Sequence, residues 1–65
     1  MENKIKQLRL DKKFTQQKVA DYLEIDRSNY SKYELGKLEI SIEMLIKLSQ
    51  LYNVTTDYIL GLSDF

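Results

Sequence analysis

Short hydrophobic clusters separated by polar residues recur along the 65-residue chain, and their spacing is helical. Ile5 and Leu8, with Leu10 nearby, predict a first helix over about residues 3–12. Thr15 has the character of an N-cap. Gln16 and Gln17 follow in a first turn, and Val19, Ala20 and Leu23 form the inner face of a second helix. Asp26 is the N-cap predicted for a third helix. Ser41 caps a fourth, with Glu43 and Met44 in its first turn and Leu45, Leu48 and Tyr52 along one face. Thr55 caps a short fifth, with Ile59 and Leu60 inward. The two glycines, Gly36 and Gly61, read as helix stops. No stretch alternates long enough for a strand, and no Asn-Gly or Asp-Gly hairpin signal occurs. The pattern predicts a compact all-α fold of five helices, with residues 1–65 as one domain.

The second and third helices are separated by only about three residues around Leu23, Glu24 and Ile25. So short a connection makes the two helices cross sharply, as a helix-turn-helix over about residues 16–35. Ala20 then sits at the closest approach, where a larger side chain would push the helices apart. Val19, Leu23, Ile25, Tyr30 and Tyr33 form the apolar seam beneath.

At 100° per residue, Tyr33 and Tyr30 fall near about 240° and 300° from Arg27, and Arg27, Ser31, Ser28 and Lys32 within about 0–140°. Asn29 lies on the flank. The tyrosines therefore face the core, and the opposite arc is polar and free of carboxylates, since Glu34 falls beside the tyrosines. An arginine, a lysine, two serines and an asparagine are donors and small acceptors suited to phosphates and base edges. By their helical spacing Tyr22 and Tyr52 are also expected in the core. Lys4, Lys6, Lys12 and Lys18 are expected to be solvated.

Composition narrows the chemistry. Net charge is zero, so bulk basicity does not indicate nucleic acid. Residues 1–37, however, hold nine Lys/Arg and six Asp/Glu, whereas residues 38–65 hold one Lys and four Asp/Glu. That asymmetry fits a basic working face with an acidic back, or chance in a small protein. The chain has no cysteine and no histidine. It therefore lacks a thiolate zinc site, the commonest metal ligand and the commonest general base. No carboxylate pair is placed to share a cleft, so no enzyme, metal or cofactor is expected. The hydrophobic runs are too short to span a membrane, and the first residues are not a signal peptide start.

From Ile5 to about Leu62 the chain resembles the lambda-repressor-like (Cro/C1-type, XRE) helix-turn-helix family. The resemblance is carried by IKQLR, TQQKVADYL, RSNYSKYELGK, LIKLSQLYNV and DYILGL at matching spacing. It implies a cytoplasmic, bacterial or phage-encoded regulator that binds double-stranded DNA. Such a protein usually acts as a homodimer and repressor on a near-palindromic site, with the third helix in the major groove.

Carried over by position, the resemblance implies base contacts from Arg27, Ser28 and Lys32, with Asn29 and Ser31 as secondary candidates. Gln16 matches the family's phosphate-clamping glutamine and is also placed to buttress Arg27. Thr15, Lys37 and the Tyr33 hydroxyl are further phosphate candidates. Arg9 and Glu34 match an internal ion pair. Glu24 and Lys13 stand where the family favours glycine, Ile40 where proline is common, and Leu35 where an asparagine often contacts phosphate. Tyr58, Leu62 and Phe65 exceed what a small core needs and read either as ordinary packing or as a dimer patch. Fold alone does not settle function. The alternative is a protein-interaction module of the same fold, an antitoxin or adaptor with a regulatory protein partner.

Overall fold

A computed structural model describes residues 4–62. Five helices follow in order: α1 (Ile5–Asp11), α2 (Gln16–Leu23), α3 (Arg27–Glu34), α4 (Ile42–Tyr52) and α5 (Thr56–Leu60). No strand occurs among the described residues. The sequence-predicted elements and the observed ones agree in number, order and type.

The starts and stops follow local chemistry. Thr15, Ser41 and Thr55 each accept a hydrogen bond from the backbone N–H three residues on, at Lys18, Met44 and Tyr58. Each thereby satisfies an N–H that has no partner inside its helix. Asp26 takes the N-cap backbone geometry of α3, but its side chain makes no cap bond. Asp26 is thus the N-cap residue that the sequence predicts. Its carbonyl accepts the Tyr30 N–H at 2.9 Å, so the backbone alone opens the helix.

All five helices end in the same way. Lys13, Glu24, Gly36, Asn53 and Gly61 take left-handed conformations, with φ of 59°, 60°, 75°, 54° and 77°. The next residue's N–H then reaches back to close the last turn. These bonds run from Phe14 to Arg9, Ile25 to Ala20, Lys37 to Lys32, Val54 to Ser49 and Leu62 to Asp57, at 2.9 to 3.1 Å. This is the Schellman stop, in which the residue after the left-handed one often packs on the helix it ends. Phe14, Ile25 and Val54 do so, each lying against the core. Glycine serves two of the five stops. Asn53 is a tolerated substitute, whereas Lys13 and Glu24 carry the full penalty of a side chain at positive φ.

The core comprises Ile5, Leu8, Val19, Ala20, Leu23, Tyr30, Met44, Leu48, Tyr52 and Ile59, drawn from all five helices. The Lys4 N–H donates to the Ile59 carbonyl at 3.2 Å and joins the start of α1 to α5. Phe14 stacks on Tyr52 at 6.2 Å between ring centroids. In α4 the inner stripe runs through Met44, Leu48 and Tyr52, with Leu45 half-buried at its edge. Tyr22 departs from expectation. It is 43% exposed, because the buried face of α2 is filled by Val19, Ala20 and Leu23. Leu10 is likewise exposed.

Candidate nucleic-acid interface

The third helix is held from beneath by one carboxylate. Glu34, in its last turn, accepts from Arg9 Nε at 2.7 Å and Nη2 at 3.2 Å. It also accepts from Gln16 Nε2 at 3.1 Å. Arg9 Nη1 donates in turn to the Phe14 carbonyl at 3.1 Å. A single side chain therefore ties α1, the start of α2 and the end of α3 into one frame. The Arg9 and Glu34 side chains are 10% and 3% exposed, so water does little to screen the pair.

Burial works to raise the Glu34 carboxyl. The hydrogen bonds from Arg9 and Gln16 and the nearby positive charge outweigh it, and the group lies below the usual carboxylate range. The Glu34 partner likewise raises the Arg9 guanidinium. Around the pair lie the buried hydroxyls of Tyr30 and Tyr52, neither in hydrogen-bonding geometry with a partner. Burial first, then short-range interaction with the Glu34 carboxylate, pushes the Tyr30 hydroxyl well up. Burial and the Glu34 charge push Tyr52 up to about 12. Both phenols are neutral at ordinary pH and belong to the core.

With Tyr30 buried and Tyr33 half-buried against the core, the opposite side of α3 is open. Arg27, Ser28, Asn29 and Lys32 are exposed there, and Ser31 is half-buried. No carboxylate lies on this outward face, because Glu34 is turned inward to Arg9. The nearest acid in the chain is Asp26, exposed at the helix start. Lys37 is exposed just past the helix end. At the start of α2, Thr15 is exposed and Gln16 half-buried. Gln16 donates to Glu34 and makes no hydrogen bond to Arg27, which corrects the expected buttress. Its second amide hydrogen and its carbonyl oxygen remain for a ligand.

Two of the lysines expected to be solvated sit over rings: Lys4 Nζ 4.9 Å from the Tyr58 centroid and Lys18 Nζ 4.4 Å from that of Phe14. Tyr58 is half-buried beneath Lys4, and Leu62 is 70% exposed. Phe65 lies outside the described residues. Leu35 is 66% exposed and offers no hydrogen bond where the resemblance would place an asparagine. The sequence pattern did not single out Leu38, Ile42 or Ile46, which are also exposed. The signal was present for two of them, since Ile42 and Ile46 stand four apart and off the stripe of Leu48 and Tyr52.

Two short helices in contact and joined by only three residues, the second with a polar outward face and the first with a capped N-terminus beside it, define a helix-turn-helix domain. A family model described as "Helix-turn-helix" matches residues 5–59, and the chain belongs to that Cro/C1-type (XRE) family. It is similar to the SPbeta prophage-derived uncharacterized HTH-type transcriptional regulator YonR of Bacillus subtilis. The two are 44% identical over 57 residues, covering 88% of this chain and 53% of that protein. The HTH-type transcriptional regulator ImmR of Bacillus subtilis is 41% identical over 58 residues, 89% of this chain and 46% of ImmR. The HTH-type transcriptional activator BcrR of Enterococcus faecalis is 39% identical over 58 residues, 89% of this chain and 28% of BcrR. The chain thus spans about half the length of YonR and ImmR, and less of BcrR. Among the described residues no helix is long and apolar enough to cross a membrane.

Proposed function

We propose that the protein is a sequence-specific double-stranded DNA-binding transcriptional regulator that reads the major groove with α3. The observation that carries this reading is the carboxylate-free outward face of Arg27, Ser28, Asn29, Ser31 and Lys32, on a helix locked from below by Arg9 and Glu34. Arg27 and Lys32 donate to guanine edges, and the serines and asparagine supply short-range contacts. Gln16 and Thr15, at the N-terminus of α2, hold a phosphate together with the backbone N–H groups there. Lys37 and the Tyr33 hydroxyl hold further phosphates. The names of the relatives, HTH-type transcriptional regulators for YonR and ImmR and an HTH-type transcriptional activator for BcrR, support this class.

Two copies related by a twofold axis place their α3 helices in successive grooves about 34 Å apart. Occupying promoter DNA requires no surface beyond this one, so repression is the output we assign. A zero net charge makes non-specific attraction weak, and affinity then rests on base contacts and pairing of copies. Fluorescence anisotropy with the duplex upstream of the protein's own gene, across a salt series, tests the assignment. Binding that weakens as salt rises is expected. No salt-sensitive binding up to the non-specific range of about 10⁻⁴ M would contradict it and favour a protein-binding role.

A further inference from the structure

We infer, resting on the DNA-binding reading above, that Asp26 is a specificity-determining residue whose carboxylate accepts a hydrogen bond from the amino group of a cytosine in the major groove. Four helices open on a residue in the extended N-cap conformation: Thr15, Asp26, Ser41 and Thr55. In three of them the side chain turns onto the backbone N–H three residues on. Asp26 has the same backbone form, with φ −67° and ψ 144°, and aspartate caps a helix as well as serine does. Its carboxylate nonetheless makes no cap bond and, among the described residues, no ion pair. The residue is exposed, and both carboxylate oxygens keep their acceptor capacity.

The backbone at this position is fixed although the side chain is unengaged. The Ile25 N–H donates to the Ala20 carbonyl at 3.0 Å, and the Asp26 carbonyl accepts the Tyr30 N–H at 2.9 Å. Ala20 and Tyr30 are fully buried. Asp26 is thereby held between the stop of α2 and the first turn of α3, and only its side-chain torsions remain to be set on binding. Such preorganisation lowers the entropic cost of a directed contact.

Charge decides which group the carboxylate meets. The first residues of a recognition helix lie against base edges. Phosphates repel an acid there, and so do the acceptor atoms O6 and N7 of guanine and O4 of thymine. The amino groups of cytosine and adenine are the donors in the groove. Adenine sets its N7 acceptor beside the amino group, against the second carboxylate oxygen, so cytosine is the base selected. Arg27, the next residue, has the opposite preference for guanine acceptors. Capping alone does not call for the charge, since hydroxyls serve at the other three starts. A carboxylate here weakens binding to every sequence that lacks the amino group, and so adds discrimination rather than strength.

Selection from random duplexes on the native chain, Asp26→Ser and Asp26→Asn tests this. Both replacements keep an N-cap residue, and helicity is checked for each. The native chain should enrich cytosine at one position of each half-site. Exchange of that C·G pair for T·A puts an oxygen in place of the amino group. It should weaken native binding about tenfold and Asp26→Ser binding less than twofold. Asp26→Asn should move the preference at that position toward adenine, which an amide contacts through N6 and N7. The rest of the site should not change. A purely capping role would instead weaken all sequences alike, and that result, or an unchanged cytosine preference in Asp26→Ser, would overturn the proposal while leaving the DNA-binding reading intact. No enriched site for the native chain would defeat that reading, and the role of Asp26 with it.

Discussion

A carboxylate as enclosed as Glu34 stays charged only where donors surround it. Arg9 supplies two and Gln16 a third. The net stabilisation by such a pair is small, because desolvation offsets much of the attraction, but removing one partner leaves the other charged and unmatched. Glu34→Gln is therefore expected to lower stability by about 3 kcal/mol, measured by urea unfolding. Gln16→Ala alone should lose about 1 kcal/mol, and much less than that in the Glu34→Gln background, since its partner is then already weakened. Additive losses would show that the Gln16–Glu34 bond contributes nothing. Glu34 was legible as a structural acid because its helical angle sets it with the tyrosines. The attachment of Gln16 to it was not legible, because which acceptor an amide finds depends on where α1 and α3 end up.

Among the helices, the limits were written locally and the side-chain environments less so. Thr15, Ser41 and Thr55 cap the turns that follow them, and a hydroxyl before an apolar-periodic run is a signal contained in four residues. Asp26 shows the same signal without the bond. Tyr22 has the right residue type at a plausible spacing, but three smaller residues already fill the buried face of α2. The stops divide in the same way. Gly36 and Gly61 announce themselves, Glu24 and Lys13 were marked only by family resemblance, and Asn53 was not marked. Lys13→Gly and Glu24→Gly are each expected to add about 1 kcal/mol of stability by relieving positive φ, with the two effects additive. Asn53→Gly should add less, because asparagine tolerates this conformation. The helicity of the folded protein should not change. A loss of stability in either of the first two variants would mean that the side chain makes a contact worth more than the strain.

For the molecule as a whole, the titrating groups define a pH window. Glu34 has a lower pKa folded than unfolded. Its stabilising contribution is present above the unfolded carboxylate range of about 4.3 and is lost as pH falls through the folded value. Tyr30 and Tyr52 have higher pKa values folded than unfolded, about 12 for Tyr52. Their contribution is complete below the unfolded value of about 10 and is lost as pH rises beyond it. With no histidine or cysteine in the chain, no side chain of ordinary pKa titrates between these limits. Tm should be flat from about pH 5 to pH 9 and fall on both sides. Glu34→Gln should flatten the acid limb, and Tyr52→Phe the alkaline one.

The split of charge between the two ends of the chain becomes intelligible at this scale. The positive half carries α1, α2 and the outward face of α3, and the negative half carries α4 and α5. The five-helix architecture was readable because each element is local. The exposure of Leu35 and Leu38 was not, because it is decided only once the helices pack, whereas the spacing of Ile42 and Ile46 already set them off the buried stripe of α4.

We propose that the outward face of α3 reads sequence while the start of α2 holds the backbone, and selection from a random duplex library, run in parallel on the native chain, Arg27→Ala, Lys32→Ala and Gln16→Ala, separates the two roles. The native chain should enrich a twofold-related site with half-sites about 10 base pairs apart. Arg27→Ala and Lys32→Ala should each lose preference at particular positions, by about 1–3 kcal/mol against the wrong base. Gln16→Ala should keep the same site and bind every sequence more weakly by a common factor. An unchanged enriched site for both α3 variants would contradict the account.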